Sequence, residues 1–291
     1  VDCPYELYWF DKSTSQAFVY PSSLGVTATS GGSGSSISLK GEGITFSFKV
    51  SKDYSVGNVI GTTDVDVSKT GAASQAVDTA KDIVRANAGK SDYEKLLAYK
   101  NWICENVSYN EEAAAESYQG GYGDPWQIIY VFDGKSDTNV VCEGYAKAFQ
   151  YLCDLSDFDD AICYTVSGSM FGELTGGVSS SGGHMWNIIR TNNQSYLVDV
   201  TNCDGEEGAS SVAVGYPDKL FLKAPNSGSV AEGYTFTLNG KDYKFSYYDD
   251  DKSLYGEDIL TLAGTGYPVP ALSLSYTAPS SLTIGTDIGD M

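Results

Sequence analysis

Three residues of this chain, Cys142, His184 and Asp199, have the types and the spacing for acyl transfer on a thiol. His184 is the only histidine, so an imidazole base has no second candidate. It opens H-M-W-N-I-I-R, residues 184–190, and Asp199 lies in S-Y-L-V-D-V-T, residues 195–201; both runs predict strands. Between them T-N-N-Q, residues 191–194, predicts a hairpin turn centred on Asn192 and Asn193, which puts His184 and Asp199 within a residue or so of facing each other. A carboxylate in that place fixes the imidazole tautomer and stabilises the imidazolium. Cys142 stands where V-V-C-E-G-Y-A-K-A-F-Q-Y-L begins a helical pattern, with Tyr145, Ala148, Phe149 and Leu152 on one face. The unpaired N–H groups and the positive dipole end of a helix start favour a thiolate. A free thiol titrates near about 8.5, and one at a helix start beside a charged imidazole falls by roughly one to five units. Singly, each residue has a plainer reading: a cysteine as a small hydrophobe, a strand histidine as structure, an aspartate as a turn former. Their conjunction, cysteine on a helix, histidine on a strand and aspartate on the next strand, shifts the weight to chemistry.

The neighbours of these residues give further expectations. Gly144 either lets a substrate backbone approach the thiol or reflects close packing. Glu143 either touches substrate or complements the helix dipole. The backbone N–H of Cys142 is a candidate oxyanion donor, and no glutamine in residues 110–139 is placed to be assigned as a second.

The elements that must position these groups follow from periodicity. Residues 3–67 carry aromatic and alternating runs, E-L-Y-W-F at 6–10 and I-T-F-S-F-K-V at 44–50, and read as strand-like, with T-S-G-G-S-G-S-S at 29–36 as a flexible loop. That glycine-rich loop lacks the lysine and the helix of a phosphate cradle. Residues 68–87 predict a helix ended by Gly89, and a second helix is capped at Ser91 or Asp92, with Glu94 completing a capping box, and stops near Val107. Residues 110–139 read as a long irregular connection containing G-G-Y-G-D-P. After the Cys142 helix come strands at 161–166, 184–190 and 195–201, and a hairpin whose strands flank Asn239-Gly240. From about Gly264 the chain turns rich in Pro, Ser and Thr. The expected organisation is a β-rich region at 1–70, a catalytic core at 71–263, and a tail or the start of a following module at 264–291.

Composition limits the partners. With 18 basic against 38 acidic residues the net charge is -20, a field that repels phosphate backbones and argues against nucleic acid. No stretch approaches the roughly 18 consecutive apolar residues of a spanning helix. The chain begins at Val1, which we read as the sign of a removed signal peptide, and the Tyr-, Gly- and Ser-rich, Lys-poor composition fits a secreted or cell-surface protein. Six scattered cysteines form no C-x-x-C pair. If Cys142 stays a free thiol, at most two disulfides remain among the other five. One histidine does not make a zinc peptidase site. The acidic groups Asp249-Asp250-Asp251 and Asp154, Asp157, Asp159 and Asp160 lack the pattern of a calcium loop and read as solvated turns. We expect no metal and no cofactor.

V-C-E-G-Y-A-K-A-F at 141–149, G-H-M-W-N at 183–187 and Y-L-V-D-V-T at 196–201 resemble the three signature blocks of the transglutaminase-like superfamily, and of its bacterial secreted branch in particular. Residues 93–110, ending in N-V-S-Y-N, look like the segment that precedes the catalytic block there, and the likeness spans about residues 72–204. The resemblance implies an α+β, papain-like core in which the nucleophile helix packs on an antiparallel sheet, with Cys142 as nucleophile, His184 as base and then acid, and Asp199 orienting it. It leaves Trp186 and Asn187 without a role beyond packing for the tryptophan. Peptide N-glycanases of the superfamily carry zinc-binding C-x-x-C pairs that this chain lacks, which argues against that substrate.

The leading expectation is a secreted cysteine peptidase or amide hydrolase, a monomer, acting on a protein or peptide substrate through an acyl-cysteine. A protein-glutamine transglutaminase or deamidase would use the same three residues. An idle extracellular binding or adhesion module is the alternative of another class.

Overall fold

The computed structural model describes residues 7–11, 25–31, 34–40, 48–69, 71–115, 126–173, 179–204, 219–238 and 240–269. In chain order the elements are β1 (Gly25–Gly31), β2 (Gly34–Lys40), α1 (Gly71–Asn87), α2 (Asp92–Asn106), α3 (Glu111–Ala114), α4 (Ile129–Phe132), α5 (Cys142–Asp154), β3 (Ile162–Glu173), β4 (Ser179–Thr191), β5 (Gln194–Val198), α6 (Val200–Cys203), β6 (Ser227–Ser229), β7 (Gly233–Leu238), β8 (Lys241–Tyr247) and α7 (Asp249–Leu260).

Helix α2 starts where its sequence dictates. Ser91 Oγ accepts the Glu94 N–H and the Glu94 carboxylate accepts the Ser91 N–H, a closed capping box. Helix α5 buries Tyr145, Ala148, Phe149 and Leu152, the face its spacing predicted, and packs on β3 and β4 with α1 and α2 behind it.

Strands β3 to β8 form one antiparallel sheet in the order β5-β4-β3-β8-β7-β6. The β4–β5 turn is tight because Asn192 and Asn193 both adopt left-handed backbone, φ 50° and 57°, the conformation a two-residue hairpin with right-handed twist requires. The second hairpin, β7–β8, turns through Gly240 at φ 76°; Asn239 lies outside the described residues. It does not form a separate unit but adds β8 to the free edge of β3, where Gly168 faces His184 on one side and Tyr247 on the other. A side chain at 168 would not fit: a Cβ there would lie 2.1 Å from the Ser246 carbonyl oxygen and 2.6 Å from the Trp186 ring. Helix α7 then returns across the sheet, its Asp251 carboxylate accepting the Ser167 N–H at 2.6 Å and its Tyr255 hydroxyl donating to the Thr165 carbonyl at 2.8 Å.

Several expectations change. Residues 29–36, read as a loop, are mostly strand: β1 and β2 pair from Gly25↔Lys40 to Gly31↔Gly34, because Ser and Gly hydrogen-bond a ladder as readily as they make a turn. The strand reading of 44–50 falls partly outside the described residues; Val50 makes a single bridge to Phe10, and single 3-10 turns occupy 52–54, 56–58 and 67–69. Of the long connection, 111–114 and 129–132 are short helices, and G-G-Y-G-D-P lies outside the described residues. The segment after Gly264 begins on the core, with Tyr267 stacked on Tyr93 at 5.8 Å and edge-on to Tyr196 at 5.3 Å; residues 270–291 lie outside the described set.

Candidate active site

Cys142 is the first residue of α5. Val141 before it is extended, φ −96° and ψ 179°, and no side chain caps the helix start, so the first-turn N–H groups point at the space beside the thiol. The other described cysteines compete poorly. Cys153, Cys163 and Cys203 are buried, and Cys104, partly exposed, leans on the Val200 carbonyl. Burial pushes the Cys163 thiol far up, and the neighbouring Cys153 adds to this through a hydrogen bond and its charge. No disulfide is formed among the five described cysteines; Cys3 lies outside the described residues.

His184 is presented by β4, one-tenth exposed, with Nε2 2.8 Å from Asp199 Oδ2. Its ring lies against Trp186 at 5.9 Å and Phe245 at 6.0 Å. Burial alone would lower its pKa. The charge and hydrogen bond of Asp199 outweigh burial, a hydrogen bond and charge from Cys142 add to them, and the result is about 10. With Nε2 engaged by Asp199, Nδ1 is the ring nitrogen left for another partner. The structure thus joins His184 to Asp199 directly, and Cys142 acts on the same imidazole from the start of α5.

The placement of Asp199 differs in detail from the strand reading. Strand β5 ends at Val198, which pairs with Asn187, and Asp199 is the N-cap of α6, its Oδ1 accepting the Asn202 N–H at 3.2 Å. Extending the register sets Asp199 opposite Trp186, two residues from His184, so the carboxylate reaches the imidazole diagonally. The local competition is physical: an aspartate that can cap its own i+3 amide leaves the ladder to do so.

Two groups absent from the sequence reading belong to the site. Asn202, 1% exposed, donates Nδ2 to Asp199 Oδ2 at 2.5 Å and lies 3.4 Å from both His184 Nε2 and Met170 Sδ. Its spacing of three from a capping aspartate was the available signal. Tyr109 is held beside the nucleophile helix by a parallel bridge to Val140, and its ring is 6.3 Å from that of Tyr145. Burial holds the Tyr109 hydroxyl protonated far above the usual tyrosine range, and the charges of Cys142, Glu111 and Asp199 push the same way.

Other neighbours acquire structural roles. Asn187, fully buried, donates to the Ala146 carbonyl and to Thr165 Oγ1, both at 3.0 Å, and so ties α5 to β4 and β3. Gly144 answers to packing: a Cβ there would lie 2.6 Å from that of Val140. Glu143 is ion-paired with Lys147 one turn along α5. Of the acidic groups considered for calcium, Asp160 caps the β4–β5 turn through Thr191 and Asn192, and Asp251 holds Ser167. Gln127 directs its amide to the Phe10 carbonyl, 3.5 Å away.

A family model described as the transglutaminase-like superfamily matches residues 78–199, from within α1 to Asp199. Over this segment the chain is similar to the transglutaminase-like superfamily. The mixed arrangement of helices and antiparallel sheet is the α+β, papain-like core of such a domain. The mouse (Mus musculus) protein named kyphoscoliosis peptidase is 31% identical over 140 residues, which cover 46% of this chain and 20% of that protein. The human (Homo sapiens) protein of the same name is 30% identical over 141 residues, 47% of this chain and 20% of its own length. The chain therefore spans about a fifth of these curated relatives. A solved structure described as "Crystal structure of a TGase" aligns with a TM-score of 0.29 at 19% identity, over 43% of this chain and 31% of that one. The transglutaminase-like superfamily is in general one of thiol enzymes, peptidases and transglutaminases. No helix among the described residues is long and apolar enough to cross a membrane.

Proposed function

We propose that this transglutaminase-like domain is a cysteine peptidase or amide hydrolase that acts on protein or peptide substrates through an acyl-Cys142 intermediate. The observation that carries the proposal is the His184–Asp199 contact, with Cys142 at an uncapped helix start acting on the same imidazole. In the first half-reaction the Cys142 sulfur bonds to the carbonyl carbon. Charge moves to the carbonyl oxygen, where the Cys142 backbone N–H and the protonated Tyr109 hydroxyl are the donors at hand. The imidazolium then gives its proton to the departing nitrogen as the C–N bond breaks, leaving a thioester and a neutral imidazole. In the second half, His184 takes a proton from water, the oxygen attacks the thioester, and the thiol is restored.

An amine in place of water would make the same site a transferase. The peptidase names of the mouse and human relatives favour water. Export is part of the proposal and rests on the acidic, Lys-poor composition. The test is incubation with a peptide library and, separately, with a glutamine-bearing protein and a labelled amine. New peptide termini that disappear in Cys142→Ala and His184→Ala support hydrolysis. Amine incorporation without cleavage turns the assignment to transfer. If Cys142 alkylates at neutral pH no faster than an ordinary thiol and His184→Ala leaves that rate alone, the enzyme reading fails.

A further inference from the structure

Asn202 is almost fully buried in α6, behind the carboxylate that holds the imidazole. Both oxygens of Asp199 are engaged by this one residue: its backbone N–H reaches Oδ1 at 3.2 Å and its side-chain amide reaches Oδ2 at 2.5 Å. Oδ2 is also the oxygen 2.8 Å from His184 Nε2. The orientation of the Asn202 amide is forced, because the reverse would set its oxygen against a carboxylate oxygen, two acceptors in contact. Asp199 Oδ2 thus receives two N–H donors, one from the imidazole and one from Asn202. With Nε2–H given to Asp199, Nε2 has no lone pair for Asn202, and the second amide hydrogen turns to Met170 Sδ at 3.4 Å.

We propose that Asn202 is a positioning residue: its side-chain amide shares the carboxylate oxygen that holds His184, and so sets how tightly the imidazole keeps its proton. The physical basis is that a carboxylate oxygen accepting a second N–H has less negative charge to offer the first. An imidazolium held too firmly is a poor acid for the departing nitrogen, and one held too loosely is a poor partner for the thiolate. This consequence rests on the proposed role of Cys142 and His184, although the geometry and its test do not.

The titratable groups facing the ring are few. Asp199 comes from the cap of α6 and Cys142 from α5. Strands β3 and β8 bring Met170 and Phe245, which do not titrate. The ring's proton affinity is therefore read against a small and known set of charges.

The chain's single histidine makes the test direct, since its imidazole signals in a nuclear magnetic resonance titration need no assignment. Asn202→Leu keeps the bulk and the backbone N–H and removes the amide. The expected result is a His184 midpoint raised by about half to one unit, a change of a size ordinary for one hydrogen bond to a charged group. Met170→Leu, which removes only the sulfur acceptor, is expected to leave the midpoint in place. A folded Asn202→Leu protein whose midpoint is unchanged or lower overturns the proposal. If that variant does not fold, Asn202→Ala is measured by the same criterion. Failure of the enzyme reading would appear elsewhere, as an unreactive Cys142 in the wild-type protein.

Discussion

The His184–Asp199 contact predicts a specific loss of stability as pH rises. The folded-state pKa of His184, about 10, lies above the ordinary 6.5. A raised pKa contributes stability that is fully present below 6.5 and is lost as pH climbs through the folded value. The shift of 3.5 units, 10 minus 6.5, corresponds to about 5 kcal/mol at about 1.4 kcal/mol per unit. In the wild-type chain this would be obscured. Cys142 also raises the proton affinity of the imidazole, so the part due to Asp199 is not isolated there. Both arms of the comparison therefore carry Cys142→Ala, which leaves Asp199 as the main source of the raised value. Urea denaturation between pH 6.5 and 8.5 should then show unfolding free energy falling by about 2 to 3 kcal/mol. Adding Asp199→Asn removes the charge, burial acts on the imidazole unopposed, and the slope from this residue should vanish. Parallel stability curves for the two proteins across that window would refute the reasoning, because the carboxylate would then not be holding a charged imidazole.

Three further outcomes are expected. Tyr109→Phe, which removes the hydroxyl and keeps the ring on Tyr145, should lower kcat by about 10²–10³-fold with KM and the Cys142 alkylation rate little changed; a turnover equal to wild type would remove Tyr109 from the oxyanion site. Gly168→Ala, which brings a Cβ against the Ser246 carbonyl, should destabilise by about 3 kcal/mol or more in urea titration, and an unaltered midpoint would mean that β3 and β8 are not joined as described. Ser91→Ala opens the capping box of α2 and should cost about 1 kcal/mol in thermal melts, while the alkylation rate of Cys142 stays that of wild type.

The parts of the site written in local sequence were legible. The start of α5 follows from an apolar face that begins just after Cys142, and the β4–β5 turn from two asparagines that tolerate positive φ. What was not legible depends on groups distant in sequence or on a choice between two local bonds. Asp199 sits in a run that alternates like a strand, yet its carboxylate gains more from the Asn202 amides than its backbone would from the ladder. Asn187 carried no assignable role in its own block, because its partner, the Ala146 carbonyl, lies 41 residues away in sequence. The joining of β8 to β3 pairs Gly168 with Tyr247, and nothing in either local pattern says which sheet edge a late hairpin will find. Residues 29–36 misled for the opposite reason, since a Gly- and Ser-rich composition is compatible with both a ladder and a turn.

Cys142, His184 and Asp199 fall within residues 78–199, the stretch that matches the family model, whereas Phe245, which walls one side of the imidazole, arrives on β8 from beyond it. The proposed catalytic groups and the wall beside them therefore have separate addresses in the chain. Mutation in the β7–β8 hairpin can reshape the approach to the imidazole without altering Cys142, His184 or Asp199. Divergence of substrate preference within such a scaffold is thus expected to accumulate in the added strand before it touches the helix and hairpin that hold the chemistry.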